Sequence, residues 1–373
     1  MAEPEVSRNA ARRIGILTGG GDCPGLNAVI RAATLTARSE FGATVLGIED
    51  GFEGIVEGRV RELDAQQVAG IIGMGGTILG SSNKGDPWHY PMAAAGGTID
   101  IRDVSGRVLQ GIADAGIDTL IAIGGDGTMH IADRLAGLGL NVVGVPKTID
   151  NDLAATDVTF GFDTAVSIVA EAIDRLTTTA SSHHRVMVVE VMGRHAGWIA
   201  LAGGVAGGAD VILIPEIPFR WEAVFRKVAQ RHSMGMRYSI VCVAEGARTP
   251  EGEQVVRALD VKRTDAKQLG GIGALVAGTI ESRTGLETRV NVLGHTQRGG
   301  TPTAFDRILA TRFGTAAARS ACNGERSVMV ALRDSQIVSV PIKDAIATLR
   351  TVPPDHSLVS AARAVGTAFG DEA

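Results

Sequence analysis

The stretch Thr119-Leu120-Ile121-Ala122-Ile123-Gly124-Gly125-Asp126-Gly127-Thr128 decides the fold class. Its first five residues form a short apolar run of the kind that fills a buried strand. A polar, glycine-rich turn follows, and Met129 to Ala136 continue with helical spacing. Strand, tight turn and helix in that order open a parallel β-α unit.

The same grammar recurs on both sides. Ile14 to Thr18, Thr44 to Ile48, Val142 to Val145, Arg185 to Val191, Val211 to Ile214, Ser239 to Ala244 and Arg289 to Leu293 read as further strands. Leu26 to Arg38, Ser105 to Ala115, Ala165 to Thr178, Trp221 to Arg231 and Thr303 to Ala321 read as helices. The expectation is a parallel α/β protein. No repeat or heptad run is visible, and composition alone draws no domain boundary.

A chain of 373 residues has room for two to three domains. Apolar residues make up 45% and charged residues 21%, a globular balance. The net charge of −5 offers no bulk attraction for nucleic acid or anionic lipid, so an anionic ligand requires a local cluster. Cys23, Cys242 and Cys322 lie far apart, without the spacing of a disulfide framework or a zinc site. Met1 to Arg13 lack the apolar core of a signal peptide, and Trp198 to Pro215 are interrupted by glycines and Asp210. A cytoplasmic protein with no membrane or nucleic-acid partner is expected.

Open α/β sheets bind ligands beyond the carboxyl ends of their strands, and the loops there are unusually polar. Gly19-Gly20-Gly21 and Gly124 to Thr128 could bring backbone N–H groups against phosphate oxygens, or could simply make tight turns. Asp126 adds a hard oxygen suited to Mg²⁺. Asp150 and Asp152 stand close enough to repel one another unless a cation, a hydroxyl or a substrate intervenes, although an Asx turn would also place them there. One could act as a general base, with Thr148 donating a hydrogen bond to a transferring group. Lys147 beside them could screen the carboxylates or grip a phosphate. Arg185, Arg194, Arg289, His295 and Arg298 lie in or next to strand-end loops, where guanidinium forks suit phosphate and where surface ion pairs are also common. Glu245 ends an apolar strand as an acceptor for sugar hydroxyls or as a cap or ion-pair member.

Six segments taken together, Gly19 to Asn27, Gly76 to Ser81, Gly124 to Thr128, Thr148 to Asp152, Glu190 to Arg194 and Gly294 to Gly300, resemble the 6-phosphofructokinase family in order and across residues 13 to 345. The resemblance implies two Rossmann-like parallel-sheet α/β domains with the active site in the cleft between them. It places a larger, donor-binding domain at 1–161 plus 297–346 and a smaller, sugar-phosphate-binding domain at 162–296 plus 347–373. It also implies Mg²⁺-dependent transfer of phosphate from ATP to the 1-hydroxyl of fructose 6-phosphate, by a homodimer or homotetramer with shared sites.

Carried over by residue, Asp150 matches the general base, Asp126 the Mg²⁺ ligand and Asp152 its support. Thr148 and Arg194 match the groups that stabilise the transferring phosphoryl. Gly21, Asn83, Lys84, Gly125, Gly127 and Thr128 fall on donor contacts. Arg185, Met192, Gly193, Glu245, Arg289, His295 and Arg298 fall on sugar-phosphate contacts, with Arg185 and Arg289 reaching across from a neighbouring subunit.

Three positions bear on the donor. Gly127 is the residue of ATP-dependent members, whereas pyrophosphate-dependent members carry Asp there; Lys147 is the residue of pyrophosphate enzymes. Asn83 stands where many ATP enzymes have arginine, with Lys84 next along as a point charge. The expectation is an ATP-dependent kinase of a mixed subgroup. A reversible pyrophosphate-dependent phosphotransferase is the first alternative, and a non-catalytic sugar-phosphate-binding subunit the second. Other kinases that share the Gly-Gly-Asp-Gly-Thr loop lack the Thr148 to Asp152 and Gly294 to Gly300 segments.

Overall fold

The computed structural model describes residues 12–82, 85–93, 99–249, 252, 254–259 and 267–372. Asn83 and Lys84 lie outside the described residues. The chain opens with β1 (Arg13–Thr18), α1 (Leu26–Phe41), β2 (Thr44–Ile48), α2 (Phe52–Glu57), β3 (Val60–Leu63), β4 (Tyr90–Ala93) and β5 (Ile99–Arg102). It continues with α3 (Ser105–Asp114), β6 (Thr119–Gly124), α4 (Asp126–Gly137), β7 (Val142–Pro146), α5 (Phe162–His183), β8 (Val186–Val191), α6 (Trp198–Ala206) and β9 (Val211–Leu213). Then come α7 (Trp221–Ser233), β10 (Ser239–Ala244), β11 (Val256–Leu259), β12 (Lys267–Leu269), α8 (Ile272–Thr284) and β13 (Thr288–Val292). The last elements are α9 (Ala304–Asn323), β14 (Val328–Arg333), β15 (Gln336–Pro341), α10 (Ile342–Ala345) and α11 (Ser357–Ala364).

These elements form two compact units, each assembled from separate pieces of chain. The first comprises Met1–Lys147, Leu153–Phe160 and Gly300–Thr348; the second comprises Thr148–Asp152, Gly161–Gly299 and Leu349–Ala373. In the first unit a seven-stranded sheet runs β15-β14-β7-β6-β1-β2-β3. Its inner pairs are parallel, while β3 and β15 close the edges antiparallel. The second unit holds an all-parallel sheet in the order β13-β8-β10-β9.

Each sheet is buried by the apolar runs that identified it. Leu17, Ile48, Leu120, Met129, Leu135, Val142, Met329 and Ile342 share one core of the first unit. Val188, Val211, Leu213, Val241, Val243, Val276 and Ile280 share one in the second. Among the described residues no helix is long and apolar enough to cross a membrane.

Several elements escape the sequence reading, α2, α8, β14 and α11 as well as the edge strands and α6. Edge strands β3 and β15 each bury one residue, Leu63 and Val340, and leave the rest partly or fully exposed, so they carry no continuous apolar run. Helix α6 contains Gly203 and Gly204, which lower helix propensity. A Cβ at Gly203 would sit 2.5 Å from Val169 Cγ1, so packing against α5 selects the glycine that hides the helix.

The same constraint operates where α1 lies along α9. A Cβ on Gly314 would stand 2.5 Å from the Val29 carbonyl oxygen and 2.9 Å from the Ala32 Cβ. Because the obstacle includes backbone, the helices would have to separate. Gly314→Ala gains roughly 0.5–1 kcal/mol of helix propensity but loses about 1–3 kcal/mol to overpacking. The expected result is a lower urea midpoint at unchanged slope; an equal or higher midpoint would show that α1 yields without cost.

Candidate active site

In the first unit the polar loops gather at the carboxyl ends of β1, β6 and β7. The amide of Gly19 donates to the Ile123 carbonyl at 2.9 Å, and that of Lys147 donates to the Gly124 carbonyl at 3.0 Å. The loop after β1 also meets a third segment, since the Gly20 amide donates to the Ser82 carbonyl at 3.3 Å and the Ser81 hydroxyl to the Gly20 carbonyl. Thr128 is buried in the angle between two of these loops. A Cβ on Gly124 would lie 2.2 Å from Thr128 Cβ, and one on Gly19 would lie 2.7 Å from its Oγ1. Those glycines are dictated by the close approach of the threonine.

Helix α4 begins at Asp126 with Gly125 as its cap residue. The N–H groups of its first turn are not used up within the helix, and its dipole favours an anion there. The Asp126 carboxylate is partly exposed at this terminus and sits 3.4 Å from His130 Nε2, one turn on. A lone carboxylate beside an amide cradle suits Mg²⁺, which keeps waters and shares phosphate oxygens instead of needing a protein cage. No cluster of three or more His, Cys, Asp or Glu side chains able to hold a metal occurs among the described residues. Gly127, next in the helix, is exposed, and a Cβ there would meet nothing within 4 Å.

Lys147 is 4% exposed, and its ammonium donates to the Gly21 carbonyl. It thereby joins the end of β7 to the loop after β1 through its side chain and to the end of β6 through its amide.

The second unit contains the acidic loop. The Asp150 amide donates to Thr148 Oγ1 at 3.1 Å, which shapes Thr148–Asp150 as a tight turn. Asn151 is buried with φ of 53°, in the left-handed region that asparagine tolerates better than most residues. This bends the chain between the two carboxylates.

At the carboxyl ends of β8 and β10, Met192 and Gly193 are buried and Arg194 is half-buried. The Gly246 amide donates to the Gly193 carbonyl at 3.1 Å, and the Met192 amide to Gln297 Oε1 at 3.4 Å. The latter bond brings the short helical turn Gly294–Arg298 against the end of β8. His295 is exposed, and Nε of the half-buried Arg298 is shielded from solvent and makes no hydrogen bond among the described residues. An enclosed guanidinium N–H of this kind is suited to an anionic partner.

Two carboxylates differ sharply in use. Glu190 on β8 is buried, and it accepts from the amides of Gly271 (3.1 and 3.2 Å) and Gly273 (2.8 Å) at the start of α8. Glu245, at the end of β10, is pushed up to about 7 by burial and by Glu190, against the pull of Arg298 and Arg194.

Arg185 and Arg289 lie apart from Arg194. They stand at the amino ends of β8 and β13, where both pair with Glu287; the Arg185 Nη2 to Glu287 Oε1 distance is 2.8 Å. Glu287 in turn holds the Arg185 pKa above its ordinary value. A six-residue strand separates them from Arg194, about 20 Å at some 3.3 Å per residue.

Sequence reasoning overlooked Glu216, Trp198 and Arg350. Glu216 accepts from the amides of Gly197 (2.9 Å) and Val352 (2.8 Å), and burial raises its pKa. No local pattern announces contacts between residues so distant in the chain.

Comparison with known proteins places these loops in context. Residues 13–321 match the phosphofructokinase family. A protein of Spirochaeta thermophila named ATP-dependent 6-phosphofructokinase is 48% identical over 370 residues, which span 98% of this chain and 100% of that one. A protein of Amycolatopsis methanolica named pyrophosphate–fructose 6-phosphate 1-phosphotransferase is 53% identical over 344 residues, 92% of this chain and 97% of that one. Among solved structures, Pichia pastoris phosphofructokinase in the T-state has a TM-score of 0.77 and 32% identity; the match covers 98% of this chain but only 39% of that longer one. With its loops in the family's order and these matches over nearly its whole length, the chain belongs to the phosphofructokinase family.

Proposed function

We propose that this chain transfers the terminal phosphoryl group of ATP to the 1-hydroxyl of fructose 6-phosphate, giving fructose 1,6-bisphosphate and ADP. Relatives at about half identity carry names with either donor, so overall similarity does not choose between ATP and pyrophosphate. The observation that carries the choice is Gly127. Its Cβ position opens onto free space at the first turn of α4, so a side chain there would enter the ground where a donor anion lies. A carboxylate would repel and crowd a nucleotide's inner phosphate; glycine leaves room. Lys147 supports the pyrophosphate reading by residue type, but its ammonium is engaged by the Gly21 carbonyl.

In this reading, the amides of Gly21, Gly125, Gly127 and Thr128 cradle the donor. Asp126 holds Mg²⁺, which when bound neutralises charge on the donor phosphates. Asp150 takes the proton from the sugar 1-hydroxyl as its oxygen bonds to the γ-phosphorus. The bond from phosphorus to the bridging oxygen breaks, and the electron pair leaves with ADP. Thr148 and Arg194 hold the transferring oxygens, and Asp152 supports the metal side. Met192, Gly193, Glu245, His295 and Arg298 bind the sugar phosphate. Arg185 and Arg289 lie too far along the strands to join them in one chain, which supports a homo-oligomer in which they serve a neighbour's site.

The purified chain with fructose 6-phosphate and Mg²⁺ is expected to form fructose 1,6-bisphosphate with ATP and not with pyrophosphate. Product with pyrophosphate alone would reverse the donor assignment, and product with neither would overturn the reading.

Asp150→Ser is expected to lower kcat about a hundredfold or more while sugar-phosphate binding stays near the parent's. Near-normal turnover would remove Asp150 from the role of base.

Glu245 supplies a pH signature. The ionised carboxylate is the better acceptor for sugar hydroxyls, and it gives way to the neutral acid as pH falls through about 7. KM for fructose 6-phosphate is therefore expected to rise over that interval. Glu245→Gln is expected to raise KM at alkaline pH and to lose this dependence, and subtracting its profile removes the substrate's own titration. Identical profiles for the two proteins would discard the assignment.

A further inference from the structure

The segment from Leu349 onward belongs to the second unit, where it meets the acidic loop. The Arg350 amide donates to the Asp152 carbonyl at 2.8 Å, and its Nη1 reaches the Asn151 carbonyl at 3.4 Å. The guanidinium also lies over the Trp198 ring, 4.6 Å from its centroid, and the Trp198 Nε1 donates back to the Arg350 carbonyl at 2.9 Å. Trp198 is the first residue of α6, the helix that follows the Met192–Arg194 loop. His356 packs edge-on against the same indole, with ring centroids 5.1 Å apart. Two residues past Arg350, the Val352 amide shares Glu216 with the amide of Gly197, the residue that caps α6.

These contacts tie two loops through one piece of chain. On one side are the carbonyls that flank and follow the bend at Asn151; on the other is the start of α6, close behind Arg194 in sequence. The bend needs such a fastening, because Asn151 is held in the left-handed region while buried. A guanidinium offers several donors in one plane together with a flat face for the indole, and an ammonium cannot reproduce that combination.

We propose that Arg350, clamped on Trp198, is a positioning residue that fixes the Asp150–Asp152 turn relative to the Met192–Arg194 loop. It acts through other residues and need not touch substrate. The role rests on Asp150 being the base, because a base misplaced by an ångström loses turnover on the order of a hundredfold while substrate affinity depends on other contacts.

The test uses the full-length chain with Arg350→Ala and Arg350→Lys, read in two ways. Steady-state kinetics are expected to show kcat reduced roughly 10- to 100-fold in Arg350→Ala, with KM for fructose 6-phosphate within about threefold of the parent. Arg350→Lys should recover only part of the loss. Hydrogen exchange of the ligand-free proteins should show the amides of Asp150 and residue 350 exchanging at least about tenfold faster in Arg350→Ala, with the β8 and β10 amides unchanged. Unchanged exchange at Asp150 overturns the proposal, as does a parallel change in kcat and KM. General acceleration across β8 and β10 also overturns it, because that marks a merely structural arginine. If the parent itself makes no product with any donor, the functional reading falls and the exchange result alone decides whether Arg350 holds the turn.

Discussion

The buried ammonium of Lys147 is the interaction on which the first unit's loops depend. Removing a charge from water is costly unless the protein supplies acceptors, and here the Gly21 carbonyl is one of them. The cost fixes the geometry. Whatever arrangement the loop after β1 adopts, it must present a carbonyl to the end of β7, and the amide of the same lysine draws in the end of β6. Three strand ends are thereby brought into register by one residue, and Thr128 fills the space between them.

The second unit solves a comparable problem with carboxylates. Glu190 satisfies two amides at the start of α8 and so serves as a helix cap inside the protein. Glu216 does the same for α6 while also taking an amide from the final segment. Glu245 has its pKa raised to about 7 by burial and by nearby Glu190, against the pull of Arg298 and Arg194. The three acids thus divide into two that accept from amides at helix starts and one whose pKa burial raises to about 7. The division follows from how many amides point at each.

Much of this was readable from the chain before any coordinates. Parallel strands had to be buried on both faces, so they announced themselves as apolar runs, and the loops behind them stood out as polar and glycine-rich. The glycine-rich loops after β1 and β6, the acidic turn and the Arg194 loop all stand out by that route. What stayed hidden has two physical origins. Elements exposed on one side, such as β3 and β15, carry weak patterns, and α6 trades helix propensity for close packing at Gly203. Contacts that depend on tertiary closure leave no local trace: nothing near Arg350 in sequence points to Asn151.

The order of strands in the seven-stranded sheet has a consequence for how the protein is made. Central strands β1, β6 and β7 leave the ribosome early, but β7 receives its outer neighbour β14 only after the Gly161–Gly299 piece of the second unit has been synthesised. The flank of β7 is then an open row of backbone donors and acceptors in the nascent chain. Helix α9, which lies along α1, also arrives late. The first unit therefore cannot finish folding as an autonomous amino-terminal domain and must wait in a partly built form while Gly161–Gly299 are synthesised. A stalled or truncated translation product ending before Val328 would expose that strand edge, making it a natural substrate for chaperones and a seed for aggregation.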